Sequence, residues 1–128
     1  MKTSSCKAKG RKLQTSVAEY IVSQFPELQP DDVKSTSSGA PGIDVLLSPL
    51  AQRVFNCSVE CKNTKVRPAG KALNQADYNA YPNTVPVVVW HAPRTKYDGD
   101  LQVIMTLENL VSLIKIVRES AKNDRTKD

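Results

Sequence analysis

The run Val85-Pro86-Val87-Val88-Val89-Trp90 constrains this chain most. It is apolar and rich in β-branched residues, with no polar alternation. A strand of that kind must be covered on both faces, which places it at the centre of a sheet flanked by helices. Helical periodicity flanks it at both ends of the chain. Leu13, Val17, Ile21 and Phe25 recur at i+4 spacing and predict a helix over 9–25, ended by Pro26 and Pro30. Thr106 is placed to cap a last helix to about Ser120, with Leu107, Leu110, Val111, Ile114 and Val117 facing inward.

Shorter elements fill the interval. Residues 32–38 read as a first strand, 39–42 (Gly-Ala-Pro-Gly) as a turn and 43–47 as a second strand. Residues 49–55 read as a connection or a short helical turn. Cys57 to Lys62 alternates cleanly: Cys57, Val59 and Cys61 share one face, and Ser58, Glu60 and Lys62 share the other. A helix over 68–81 follows, with Ala69, Leu73, Ala76 and Ala80 on one face, and residues 101–105 form a further strand. Residues 93–99 read as a turn carrying Arg94 and Lys96. The expected fold is α/β, in the order α-β-β-β-α-β-β-α, with one central mixed sheet flanked by helices. The expected domain spans 9–121, between a basic, flexible tail at 1–8 and a frayed tail at 122–128.

At 128 residues the chain suits one domain. It carries no apolar run of membrane-spanning length and no secretory leader, so a cytoplasmic protein is expected. Three cysteines and one histidine argue against a disulfide scaffold and a structural zinc site. The net charge of +5 is uneven. Lys2, Lys7, Lys9, Arg11 and Lys12 cluster at the start, and Lys62, Lys65, Arg67 and Lys71 mid-chain. A polyanionic partner explains both clusters, as does a solvated tail with a solvated loop.

The segment 35–63 bears the chemistry. Asp44 begins a strand just after a Pro-Gly turn, and Glu60 lies mid-strand sixteen residues later with Lys62 at i+2 on the same face. Two convergent carboxylates make a hard oxygen site suited to Mg²⁺ or Mn²⁺. A lysine beside them orients water or neutralises charge on phosphorus. An acid and a lysine on a strand's polar face equally suit a plain surface ion pair.

Gly42-Ile43-Asp44-Val45 followed by Val59-Glu60-Cys61-Lys62 resembles the PD-(D/E)xK nuclease superfamily, and the order of elements over residues 9–91 is similar to that superfamily's core. Lys9-Gly10 before the first helix resembles the opening of small Holliday-junction resolvases and of related phage and homing endonucleases. The resemblance implies a restriction-endonuclease-like fold and a Mg²⁺- or Mn²⁺-dependent DNA endonuclease. It makes Asp44 and Glu60 metal-binding carboxylates, the Cys61 carbonyl a third ligand and Lys62 the catalytic lysine. The motif's proline normally adjoins the aspartate, whereas Pro41 stands three residues before Asp44.

Resolvase relatives carry a glutamate on the first helix. Here Glu19 projects away from the apolar stripe, while Gln14 falls inside it at the relatives' spacing from Gly10, so Gln14 is the expected site-facing residue. A boundary polar role suits Gln14 as well. Lys9, Arg11, Lys12, Ser38, Lys65, Arg67, Lys71 and Gln75 are the expected DNA contacts. Turn formation explains Ser37 and Ser38 equally, and a surface position explains Gln75. His91 reads as peripheral. The substrate is duplex or branched DNA. A resolvase would act on four-way junctions as a symmetric homodimer; a homing or nicking enzyme would act on duplex DNA. A non-catalytic nucleic-acid module or a degenerate nuclease fold are the other readings. Aromatic residues make up 5% of the chain, too few for a base-stacking platform.

Overall fold

The structure is a computed structural model. It describes residues 2–36, 42–91 and 101–126, with side chains described within 8–123. Its elements are α1 (Lys2–Gln24), β1 (Val33–Ser35), β2 (Val45–Leu47), α2 (Pro49–Phe55), β3 (Cys57–Lys62), α3 (Gly70–Asn79), β4 (Val85–His91), β5 (Leu101–Ile104) and α4 (Leu107–Thr126). A single 3-10 turn, Pro30–Asp32, leads into β1.

The apolar run is the central strand of its sheet. β4 pairs with β3 in parallel and with β5 antiparallel, in the order β3-β4-β5. Pro86 is tolerated because β5 reaches back only to Val88, so no β4–β5 hydrogen bond is lost there. Alternation sends the strand's side chains into two cores. Val87 and Val89 join Val59 beneath Leu13, Val17, Ala18 and Ile21 of α1, with Leu113 of α4 packed alongside. Val88 faces the other way, against Ala72 and Ala76 of α3. Small alanines let α3 lie close to the sheet, and Val88 is fully buried beneath it.

The mixed α/β class agrees with expectation, but the single sheet does not. β1 and β2 form a separate antiparallel pair. The cause is α2, which takes the helical alternative expected for 49–55. Ser48 caps it by accepting the Ala51 N–H, and Asn56 ends it in the left-handed conformation at φ 64°. The chain therefore leaves β2 through a helix and enters β3 without a β2–β3 backbone ladder. Asp32 braces the junction: its carboxylate accepts from the Gln29 N–H and the Ser48 hydroxyl, each at 2.8 Å.

Other boundaries shift. Residues 2–8, expected as a tail, continue α1, and Gly10 lies inside that helix. Residues 122–126, expected as frayed, continue α4. The first two strands are three residues each, and α3 starts at Gly70 with Ala72 and Ala76, not Ala69 and Ala80, buried. In α4, Thr106 caps the Asn109 N–H at 3.1 Å as expected. The expected inward stripe is exposed, however: Leu107, Leu110, Val111, Ile114 and Val117 face outward. The edge of that arc turns inward instead: Leu113 packs against the core, and Ile116 is half-buried. The Gly39–Pro41 turn and the 93–99 turn with Arg94 and Lys96 lie outside the described residues. No helix among the described residues is long and apolar enough to cross a membrane.

Candidate active site

β3 delivers its two charged side chains to the α3 face of the sheet. Glu60 pairs in register with Val88, the residue beneath α3, so strand alternation fixes its direction. The face expected to be polar and open is covered there. Glu60 is only 3% exposed, and Ser58 is buried as well. Ser58 is satisfied by the Thr84 hydroxyl at 2.6 Å and by the Tyr81 N–H at 2.9 Å. Glu60 is not fully satisfied: its Oε1 is buried without a hydrogen-bond partner among the described residues.

Asp44 reaches the same strand from the other sheet. It sits just ahead of β2, and its Oδ2 accepts the Cys61 N–H at 2.8 Å. The N–H and C=O of one strand residue lie on the same edge, so the Cys61 carbonyl also points to the edge that Asp44 occupies. Asp44 thus approaches Glu60 through a side-chain bond, not through backbone pairing of β2 with β3. Its own carbonyl is bound by the N–H and hydroxyl of Thr36, which fixes the backbone at this point.

Lys62 lies two residues on, its Nζ 3.6 Å from Glu60 Oε2. The same ammonium donates to Gln75 Oε1 of α3 at 3.0 Å. Gln75 therefore steadies the lysine.

The electrostatics follow from this packing. Burial removes water from Glu60, and the neighbouring Asp44 carboxylate repels its charge; Lys62 offsets only part of this. The Glu60 carboxyl is pushed up to about 7. Burial also raises both described thiols, Cys57 to about 11, and Cys61 further because the two carboxylates stand beside it. Neither thiol is a ready nucleophile.

Two adjacent carboxylates in a buried setting are unfavourable unless a proton or a cation shares them. The partnerless Glu60 Oε1, the Asp44 carboxylate and the outward Cys61 carbonyl form an all-oxygen donor set, which fits Mg²⁺ or Mn²⁺. No cluster of three or more His, Cys, Asp or Glu side chains is gathered among the described residues. A cation here would depend on two carboxylates plus backbone or amide oxygens.

Gln14 is buried and Glu19 exposed, in line with the helical projection. Gln14 Oε1 has no hydrogen-bond partner either. α1 packs on the Val59 face, whereas Glu60 points to the opposite one, and no described hydrogen bond joins Gln14 to the carboxylates. Ser38 lies outside the described residues. Lys9, Arg11, Lys12, Lys65, Arg67, Lys71 and Gln75 are all exposed.

Lys9 and Lys12 line a groove of about 510 Å³ between α1 and the end of the sheet, together with Ser16, Asn63 and His91. Sequence reasoning missed Ser16 and Asn63 and left His91 at the periphery. The i, i+3, i+7 spacing of Lys9, Lys12 and Ser16 was the available signal. Trp90 secures the adjoining loop by donating its indole N–H to the Thr64 carbonyl at 2.9 Å. Compared with family models, with curated proteins and with solved structures, the chain matches none.

Proposed function

We propose that this protein is a metal-dependent DNA endonuclease that hydrolyses phosphodiester bonds, with a restriction-endonuclease-like core. The observation that carries this reading is the convergence of Asp44 and Glu60 beside Lys62, with Glu60 raised to about 7 and one of its oxygens left without a partner. A surface ion pair does not account for it, since Glu60 is buried against a second carboxylate.

Asp44, Glu60 and the Cys61 carbonyl would hold the cation. A bound Mg²⁺ or Mn²⁺ supplies charge neutralisation at the scissile phosphate and a lowered pKa for water. The chain's own groups do the positioning. Lys62 presents a cation to the attacked phosphate, and Gln75 restrains its long side chain, reducing the entropy lost on alignment. Lys9 and Lys12 along the groove, with Lys65, Arg67 and Lys71 after β3, supply backbone phosphate contacts.

Branched or structurally distinct DNA is the substrate of this proposal, held through backbone phosphates. A cytoplasmic location and action as a homodimer belong to the same proposal.

The test is cleavage of supercoiled, linear and four-way-junction DNA in Mg²⁺, Mn²⁺ or EDTA. Cutting is expected with either metal and absent in EDTA. It is lost in Asp44→Ala, Glu60→Ala and Lys62→Ala while circular dichroism stays unchanged. Cutting that survives Glu60→Ala overturns the reading.

A further inference from the structure

The floor of the groove between α1 and the end of the sheet follows from strand register. Lys62 pairs with Trp90 and His91 with Leu101, so Asn63, next after Lys62, falls beside His91. Asn63, His91 and Leu101 thus form one row across three neighbouring strands, about 4.8 Å apart, on the α1 face. The wall is one face of α1. Lys9, Lys12 and Ser16 stand over the row along ~10 Å of helix, with Leu13 buried at their base. Among the described residues, no hydrogen bond or ion pair engages the side chains of Lys9, Lys12, Ser16, Asn63 or His91, and no carboxylate lines the groove.

The chemistry of the lining selects the ligand. Two ammonium groups without an acid beside them suit phosphate. Phosphate alone makes no use of Leu13, Leu101 and the flat imidazole of His91, which suit the face of a sugar or base. Asn63 offers a donor and an acceptor to a base edge. The groove's volume of about 510 Å³ lies within the ~300–1,000 Å³ of small-ligand clefts. A paired base stays in its stack and cannot turn a face into a recess between a helix and a sheet, whereas an unpaired base can.

We infer that this groove holds an unpaired nucleotide of the DNA strand under attack, its phosphate between Lys9 and Lys12 and its base over His91 and Leu101, beside Asn63. The strand that enters it rests on the proposed nuclease activity. Lys62 ends β3, and Asn63 follows it on the opposite face by alternation. A strand whose scissile phosphate meets Lys62 therefore reaches the groove by crossing the end of β3. The substrate class narrows accordingly, to branched DNA with unpaired nucleotides at the branch point in preference to fully paired four-way junctions.

Affinity for a blunt hairpin duplex and for the same duplex with a short unpaired thymidine tail, measured by fluorescence anisotropy in EDTA at ~100 mM salt, tests the proposal without cleavage. The tail is expected to tighten binding about tenfold. An abasic tail of equal length keeps every phosphate and loses the bases, and it should forfeit most of that gain. Asn63→Asp and His91→Ala each cut the tail's advantage at least ~threefold, with far-UV circular dichroism checking the fold. A thymidine tail no tighter than the abasic tail or the blunt duplex overturns the proposal, as does an advantage that both folded variants retain in full. Free thymidine monophosphate that displaces the tail at micromolar concentration assigns the groove to a free nucleotide and overturns it as well. Cleavage of the same DNAs in Mg²⁺ keeps the two claims apart. DNA cut without any tail advantage sinks the groove assignment alone; a tail advantage without cutting upholds the groove and sinks the nuclease reading.

Discussion

Asp44 Oδ2 accepts the backbone N–H of Cys61 at 2.8 Å, and this bond sets a carboxylate from the approach to β2 beside Glu60 of β3. Its nearness helps to hold the Glu60 carboxyl at about 7.

Stability without metal should therefore fall as pH rises. The folded-state value of Glu60, about 7, stands above its ordinary 4.5, so the folded protein holds a proton that the unfolded chain releases. The loss begins near pH 4.5 and is complete just above 7, amounting to about 3 kcal/mol. Urea denaturation in EDTA at pH 5 and pH 8 measures it, and Glu60→Gln should remove this slope. Mg²⁺ should raise the midpoint more at pH 8 than at pH 5, because both carboxylates are then free to bind it.

Gln75→Ala should lower kcat about tenfold and leave DNA affinity nearly unchanged, because it frees Lys62 without removing its charge. Single-turnover cleavage beside a binding titration separates the two effects. An affinity loss with kcat intact would assign Gln75 to the DNA surface.

Alanine at Lys9, Lys12, Lys65, Arg67 or Lys71 should do the reverse. Each exposed cation that contacts a phosphate contributes about one unit to the slope of log affinity against log salt, and its variant loses that share. Binding isotherms between 50 and 200 mM salt, roughly the range in which such contacts are screened, provide the comparison.

Tyr81→Phe should destabilise by roughly 1–3 kcal/mol. The Tyr81 hydroxyl accepts the Leu47 N–H at 3.2 Å, and its loss leaves a buried strand donor without a partner. Thermal melts of both proteins measure the difference.

Gln14→Leu should stabilise the metal-free protein by about 1 kcal/mol, since it replaces a buried carbonyl that has no partner. A matching loss of Mg²⁺ affinity in calorimetry would place Gln14 at the ion.

The legible parts of the sequence were those governed by local rules. The bounds of β3 and the direction of Glu60 follow from alternation alone, and the inward turn of Gln14 relative to Glu19 follows from helical projection. Contacts between elements were less legible. Gln75 looked like a surface residue because nothing on α3 records that Lys62 reaches it from β3. α4 misled because its stronger stripe faces outward, and amphipathicity does not say which side meets the body. The split sheet was hidden because Ser48 and Asn56 act at the two ends of a seven-residue helix too short to give a clear period.

Asp44 stands just ahead of β2 and Glu60 lies on β3, so the site spans a seam that no backbone ladder crosses. Its halves are joined by one core, in which Val33, Val45 and Leu47 pack with Val59 beneath α1, so a slip of β1 and β2 that breaks the Asp44–Cys61 bond also disturbs that core. On heating, loss of the proposed cleavage should therefore coincide with unfolding and not precede it.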